Sequence, residues 1–272
     1  MEGIWVGLVV KTLAIANQKG GCGKTTTAVN LAACLAAAGD RVLLVDIDPQ
    51  SHATLALGWE PSELDRSMHD VLVKADASIR QVIRPYEQIK GLDVAAGSLL
   101  LSAADLDLNA VAGKESMLAR HLKQLQDQYD LCIIDCPAYL SLMLVNGLVA
   151  SDYLIVPVQT HFCALYGLKR ILETVQVLRR RLDSCRVRVI GMVLTFVEEK
   201  VALSRQVQQQ LRDFFGELVF QNTIHRNIRL AEAPSAGQPI ITFDPKDRAA
   251  VQFNALAVEL KARIHRLVGE GV

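Results

Sequence analysis

The chain has 272 residues, of which 51% are apolar and 21% charged, enough to build a sizeable core and too apolar for general disorder. Its net charge is zero, yet residues 1–160 carry −6 and residues 161–272 carry +6, a split that fits either a polyanion-binding face or a solvated helix surface. Six cysteines with no C-x-x-C pair argue against a zinc site or a disulfide scaffold and for a reducing compartment.

The apolar patch Ile4–Val10 is too short to span a bilayer, and residues 1–10 read as an N-terminal extension. "TLAIANQ" at 12–18 is a strand, followed by a glycine loop and an alanine-rich helix, "KTTTAVNLAACLAAAGD", stopping at Gly39. "RVLLVDID" at 41–48 is a buried strand ending in acids, and "GLDVAAG" at 91–97 a further strand. Residues 50–115 are the least regular and read as surface insertions. The segment 116–130 has helical spacing; "LCIIDCP", "YLIVPV" at 153–158 and "RVRVIGMVLT" at 186–195 are strands. Helix 203–216 is expected to put Val207, Leu211, Phe214 and Phe215 on one side, and a long helix over 247–268 closes the chain. Strands apolar on both faces and separated by helices mean a doubly wound, mainly parallel α/β sheet with helices on both faces. Residues 11–268 read as a single domain.

Ligands of such sheets sit beyond the carboxyl ends of the strands, where three signals fall. In "NQKGGCGKTT", Gly20, Gly21 and Gly23 allow backbone N–H groups to face an anion at a helix start. Lys24 suits a β/γ-phosphate and the Thr25 hydroxyl suits Mg²⁺. The same letters give G-x-G-x-x-T, a dinucleotide fingerprint short of its third glycine, with Asp46 near the place of a ribose-binding acid; Gly-Lys-Thr-Thr is better explained by phosphate and metal. The loop departs from G-x-x-x-x-G-K-[ST] because Gln18 stands where glycine is needed. Asp46 and Asp48 end the second strand, either as a strand cap or with one acid orienting an attacking water. Asp135 follows four apolar residues in the shape of a metal-holding acid.

"KGGCGKTT", "VLLVDIDPQ", "IIDCP" and "IRLAEAPSAGQPI", spread from about Lys11 to about Arg266, resemble the ParA/Soj family of partition ATPases, whose deviant Walker A loop is shared with MinD and nitrogenase iron protein. The resemblance implies ATP and Mg²⁺ as cofactors and a sandwich homodimer formed with ATP. Lys19 matches the family's signature lysine, which reaches the partner's nucleotide; Lys24 and Thr25 work within their own subunit. Asp48 matches the acid that activates water, with Asp46 in support, and Asp135 the Walker-B acid. The loop from Lys19 through Gly20, Gly21, Cys22, Gly23, Lys24 and Thr25 to Thr26 holds nucleotide, and Asn227 matches a segment near the adenine. Lys200, Arg226 and Arg229 resemble the residues that bind double-stranded DNA without sequence preference. A ParB-like partner would stimulate hydrolysis in chromosome or plasmid partition, and the protein would be cytoplasmic and nucleoid-associated.

The chain departs from the family at Ala138 for a proline, at Thr195-Phe196-Val197-Glu198 for "TMFD" and at Ile224-His225-Arg226-Asn227 for "IPRN". These changes touch the base pocket and the DNA face, not the lysines and acids. Cys22 stands where relatives often have valine, and the loop's positive potential is expected to lower its pKa and leave it oxidisable without nucleotide. Relatives tend to begin with methionine about where Val10 stands, so a start near Val10 is a further expectation. Other readings are ParA-like positioning of a chemoreceptor cluster or carboxysome, and a MinD-like membrane cycle. The latter would need an amphipathic C-terminal anchor richer in aromatics than "LKARIHRLVGEGV", so no stable membrane insertion is expected.

Overall fold

The computed structural model describes residues 11–74, 76–162 and 164–269; the extension and the alternative start read for residues 1–10 lie outside them. In chain order the elements are β1 (Lys11–Ile15), α1 (Lys24–Ala37), β2 (Val42–Asp46), α2 (His52–Ala56), α3 (Met68–Val73), β3 (Ile83–Pro85), β4 (Leu92–Ala95), α4 (Ala104–Asp107), α5 (Met117–Leu122), β5 (Leu131–Asp135) and α6 (Leu142–Val149). There follow β6 (Tyr153–Gln159), α7 (Ala164–Arg181), β7 (Arg188–Thr195), α8 (Ala202–Phe215), α9 (Arg229–Glu232), α10 (Ile240–Phe243) and α11 (Arg248–Gly269).

The strands form one sheet in the order β3-β4-β2-β5-β1-β6-β7. All neighbours are parallel except β3, which runs antiparallel to β4 at the edge. Strand alternation divides the core in two. Leu13 and Ile15 of β1 face one layer with α1 and α11, while Ala14 faces the other with α6 and α7. Helix α1 is buried along most of its length, so its alanines act as spacers that let the helix lie close to the sheet and to α11. Leu31 and Leu35 of α1 share that core with Phe253, Leu256 and Leu260 of α11, each burial worth about 1.5–3 kcal/mol.

Three local expectations change. Residues 50–115 are more than surface insertion: Met68, Val71, Leu72, Ile79 and Val82 are buried in the core, and the segment supplies β3. The helix expected over 116–130 is α5 followed by a tight 3-10 turn at Lys123–Leu125. On α8, Val207 and Leu211 are buried but Phe214 is 82% exposed, its ring edge-on to that of Phe215. Phe214 lies three residues past Leu211, far enough round the helix to leave the buried stripe.

Register sets the site. Ile15 pairs with Asp135, and Asp46 pairs with the same aspartate from the other side. The carboxyl ends of β1, β2 and β5 are therefore level, and their acids emerge together.

Candidate active site

After β1 the chain stays buried through Ala16 and Asn17, whose side-chain amide donates to Pro157 O at 2.7 Å. It then turns through Gly21 (φ 68°) and Gly23 (φ 84°), left-handed conformations that favour glycine. Gly23 is the N-cap of α1 and no side chain caps that end, so the first-turn N–H groups remain for an anion. The loop is anchored from across the sheet: Thr195 Oγ1 donates to Cys22 O at 2.8 Å. Lys24 is buried, and its Nζ donates back to Lys19 O at 3.3 Å. Cys22 is buried too, its Sγ donating to Lys19 O. Burial pushes this thiol up, outweighing the attraction of Lys24 and Lys19. That overturns the expectation of a lowered pKa and, with the sulfur shielded, of a readily oxidised thiol.

Asp135 is fully buried and its Oδ2 accepts from Thr25 Oγ1 at 2.7 Å, while Oδ1 has no partner among the described residues. Its carboxyl is held well above the usual carboxylate range by burial and by the charges of Asp46 and Asp48. An unpartnered carboxylate oxygen beside a threonine hydroxyl fits a hydrated divalent cation, which would relieve that repulsion. No group of three or more His, Cys, Asp or Glu among the described residues forms a metal cage, so nucleotide oxygens and water would complete the coordination, as suits Mg²⁺.

Asp46 and Asp48 differ in setting. Asp46 is enclosed: Oδ2 accepts from Thr54 N at 2.8 Å and Thr54 Oγ1 at 2.7 Å, and Oδ1 from Asp48 N at 3.2 Å. Burial raises its pKa to about 6 against the pull of these bonds. Its contacts make Asp46 the anchor of the 46–54 turn, with Asp48 presented by it. Asp48 lies at the turn's rim, and its Oδ1 accepts from Gln50 N at 2.9 Å. Within the turn Ser51 has φ 50°, is fully buried, and carries a hydroxyl with no partner among the described residues. Ser51→Gly is expected to stabilise the fold by about 1 kcal/mol, the left-handed cost and the stranded hydroxyl outweighing glycine's extra chain entropy. Urea denaturation checks this; a lower midpoint at unchanged slope would show that the hydroxyl is satisfied.

Lys19 Nζ donates to Gln159 Oε1 at the end of β6, 3.1 Å away. A Cβ on Gly167 of α7 would lie 2.9 Å from Lys19 Cβ and 2.8 Å from Asn17 Oδ1, so only glycine there lets α7 approach the loop. Sequence reasoning missed both residues; the signal for Gln159 was its place at a strand end, level with residues already singled out.

Asn227 lines a cavity of about 130 Å³ beside the loop, together with Gly23, Thr26, Phe196, His225 and Leu230. Its own amide is engaged, Nδ2 donating to Asp247 Oδ1 at 2.7 Å and Oδ1 accepting from Arg229 N at 2.7 Å. Of the basic residues singled out, Lys200 is exposed before α8. Arg226 pairs loosely with Glu198 at 3.6 Å. Arg229 contacts Glu232 at 2.7 Å and Asp244 at 3.2 Å, and lies over the Phe243 ring. Its charge is largely compensated within the chain.

A glycine loop capping a helix behind the central strand, with a lysine and threonine at the helix start and an acid on the adjacent strand end, defines a P-loop nucleotide-binding fold. The AAA_31 family model, described as an AAA domain, matches residues 10–186. The chain is 42% identical to the sporulation initiation inhibitor protein Soj of Bacillus subtilis over 93% of its length and 98% of that protein's. It is 37% identical to the chromosome partitioning protein ParA of Caulobacter vibrioides, over 93% and 95% of the two chains. A cobyrinic acid a,c-diamide synthase from Mycobacterium smegmatis, solved with an ATP analogue and magnesium, superposes with TM-score 0.79 and 32% identity over 92% and 93% of the chains. The chain belongs to the ParA/Soj family of P-loop ATPases.

Proposed function

We propose that the protein is an ATP-hydrolysing switch that dimerises around ATP, binds double-stranded DNA without sequence preference in that state, and serves chromosome or plasmid partition with a ParB-like partner. The observation that carries this reading is the convergence of Lys19, Lys24, Thr25, Asp48 and Asp135 around one phosphate loop at level strand ends. The relatives named for partition support the biological role.

In this reading the N–H groups from Gly20 to Thr26 and the Lys24 ammonium hold the β- and γ-phosphates. Thr25 and Asp135 orient Mg²⁺, which neutralises charge between the phosphates. Asp48 accepts a proton from the attacking water, held in place by Asp46 through its backbone N–H. Lys19 exchanges Gln159 for the phosphates of the partner subunit's nucleotide, so hydrolysis becomes a property of the dimer. Asn227 braces the wall near the base. Lys200 and Arg226 supply the freer charge for DNA, while Arg229 must exchange carboxylates for phosphate. ATP-bound dimers would then reside on the nucleoid in the cytoplasm. No helix among the described residues is long and apolar enough to cross a membrane.

DNA binding measured with a non-hydrolysed ATP analogue and with ADP, across a salt series, tests this. Analogue-bound protein is expected to bind at least ~10-fold tighter. Three residues from each of two subunits would lose roughly 10³-fold in affinity between 50 and 200 mM salt. Binding indifferent to nucleotide would refute the switch.

A further inference from the structure

Among the described residues only Ser51 and Phe196 are non-glycine residues with positive φ, and Phe196, at 51°, is the bulky one. A left-handed conformation is unusual for a large side chain and persists only where its surroundings fix it. Here they do so on both sides. Thr195 Oγ1 holds Cys22 O at 2.8 Å, and Thr160 Oγ1 donates to Phe196 O at 3.3 Å. Val197 N then donates to Ile224 O, and Val197 O accepts from Arg226 N, both at 3.1 Å.

The turn lifts the ring out of the β7 core. Thr195 and Val197 on either side are buried, whereas Phe196 is 39% exposed. The ring comes to rest over the phosphate loop, its Cε2 3.5 Å from where a Gly23 Cβ would be. It forms one wall of the cavity of about 130 Å³ that Leu230 and Ala231 close on another side. A strained backbone that keeps an aromatic face open in a cavity adjoining a phosphate cradle does nothing for the core, since the ring gains little burial there.

We infer that Phe196 is the stacking shelf for the base of the bound nucleoside triphosphate, and that it favours purines, whose larger π-face covers more of the ring. The inference rests on the nucleotide-binding reading proposed above. The phosphates would lie against Gly23 and Thr26, leaving the base to extend into this cavity. An aromatic shelf recognises a flat π-face whatever its edge, and Ala231 is small enough to leave space opposite.

The test separates base from phosphate. Binding of a non-hydrolysed ATP analogue and of inorganic tripolyphosphate, both with Mg²⁺, is measured on the full chain carrying Phe196→Leu, which keeps apolar bulk, and Phe196→Trp, which keeps a stacking face. Phe196→Leu is expected to weaken the ATP analogue roughly 10-fold with tripolyphosphate unchanged. Phe196→Trp is expected to retain affinity, with an indole emission that changes on adding the ATP analogue but not tripolyphosphate. Equal losses for both ligands in Phe196→Leu would mean that the ring only props up the phosphate loop, overturning the inference. So would an unchanged affinity for the ATP analogue. If the unaltered protein binds tripolyphosphate but gains nothing from the nucleoside, the shelf fails while the phosphate loop stands; if it binds neither, the nucleotide reading falls and the shelf with it.

Discussion

Asp48→Ala is expected to cut ATP turnover roughly 100-fold or more, the usual contribution of a positioned proton acceptor, while ATP affinity stays within a few-fold of the unaltered protein. The split follows from where Asp48 sits. The phosphate cradle is built from the loop and the start of α1, and Asp48 contributes no bond to it. Its described contact is Oδ1 to the Gln50 N–H, at the rim of a turn fixed by Asp46. Removing it strands one backbone donor, a stability cost of about 1 kcal/mol, but leaves Asp46 and Asp135 where they are. Asp48→Asn keeps an acceptor for Gln50 and should recover that stability without recovering turnover. Single-turnover hydrolysis, isothermal titration with ATP and light scattering separate these effects. A variant that hydrolyses ATP normally, or that stays monomeric with ATP, would show that Asp48 does not have this role.

Lys19→Ala is expected to lose roughly 10³-fold in turnover, the scale on which a cation supplied to the transition state from a neighbouring subunit acts, with ATP binding to the monomer little affected. In the monomer the Lys19 ammonium rests on the Gln159 amide, 3.1 Å away. The loop around it is held by other bonds: Cys22 Sγ and Lys24 Nζ both use the Lys19 carbonyl, which alanine retains. The deletion therefore removes a charge and not the cradle. A large loss of monomer affinity for ATP would mean instead that Lys19 binds its own subunit's nucleotide.

Much of this site is legible in the sequence because its parts sit where strands end. "LAIANQ", "VLLVD" and "LCIID" announce buried parallel strands, and Lys19, Lys24, Asp46, Asp48 and Asp135 follow each of them at once. The edge strand β3 is illegible for the opposite reason: three residues, one of them Pro85, carry no period. Cys22 reads as a thiol in a positive loop, but its burial depends on Thr195, far away in sequence, drawing the loop onto the sheet. Asp46 and Asp48 look alike as letters; only the fold turns one inward to Thr54 and leaves the other at the rim. Phe196 shows in sequence only as a departure from "TMFD", and its left-handed backbone emerges from pairings with Thr160 and Ile224.

The claim that the active site is completed by a second subunit is tested most directly by mixing the two variants. Lys19→Ala and Asp48→Ala protein, each nearly inactive alone, are combined in equal amounts with ATP. A mixed dimer has one complete site, with Asp48 from one subunit and Lys19 from the other. Half the dimers are mixed, so the mixture is expected to recover roughly a quarter of the unaltered turnover. A mixture no more active than the average of the two variants would contradict the account, placing Lys19 and Asp48 in the service of the same subunit's nucleotide.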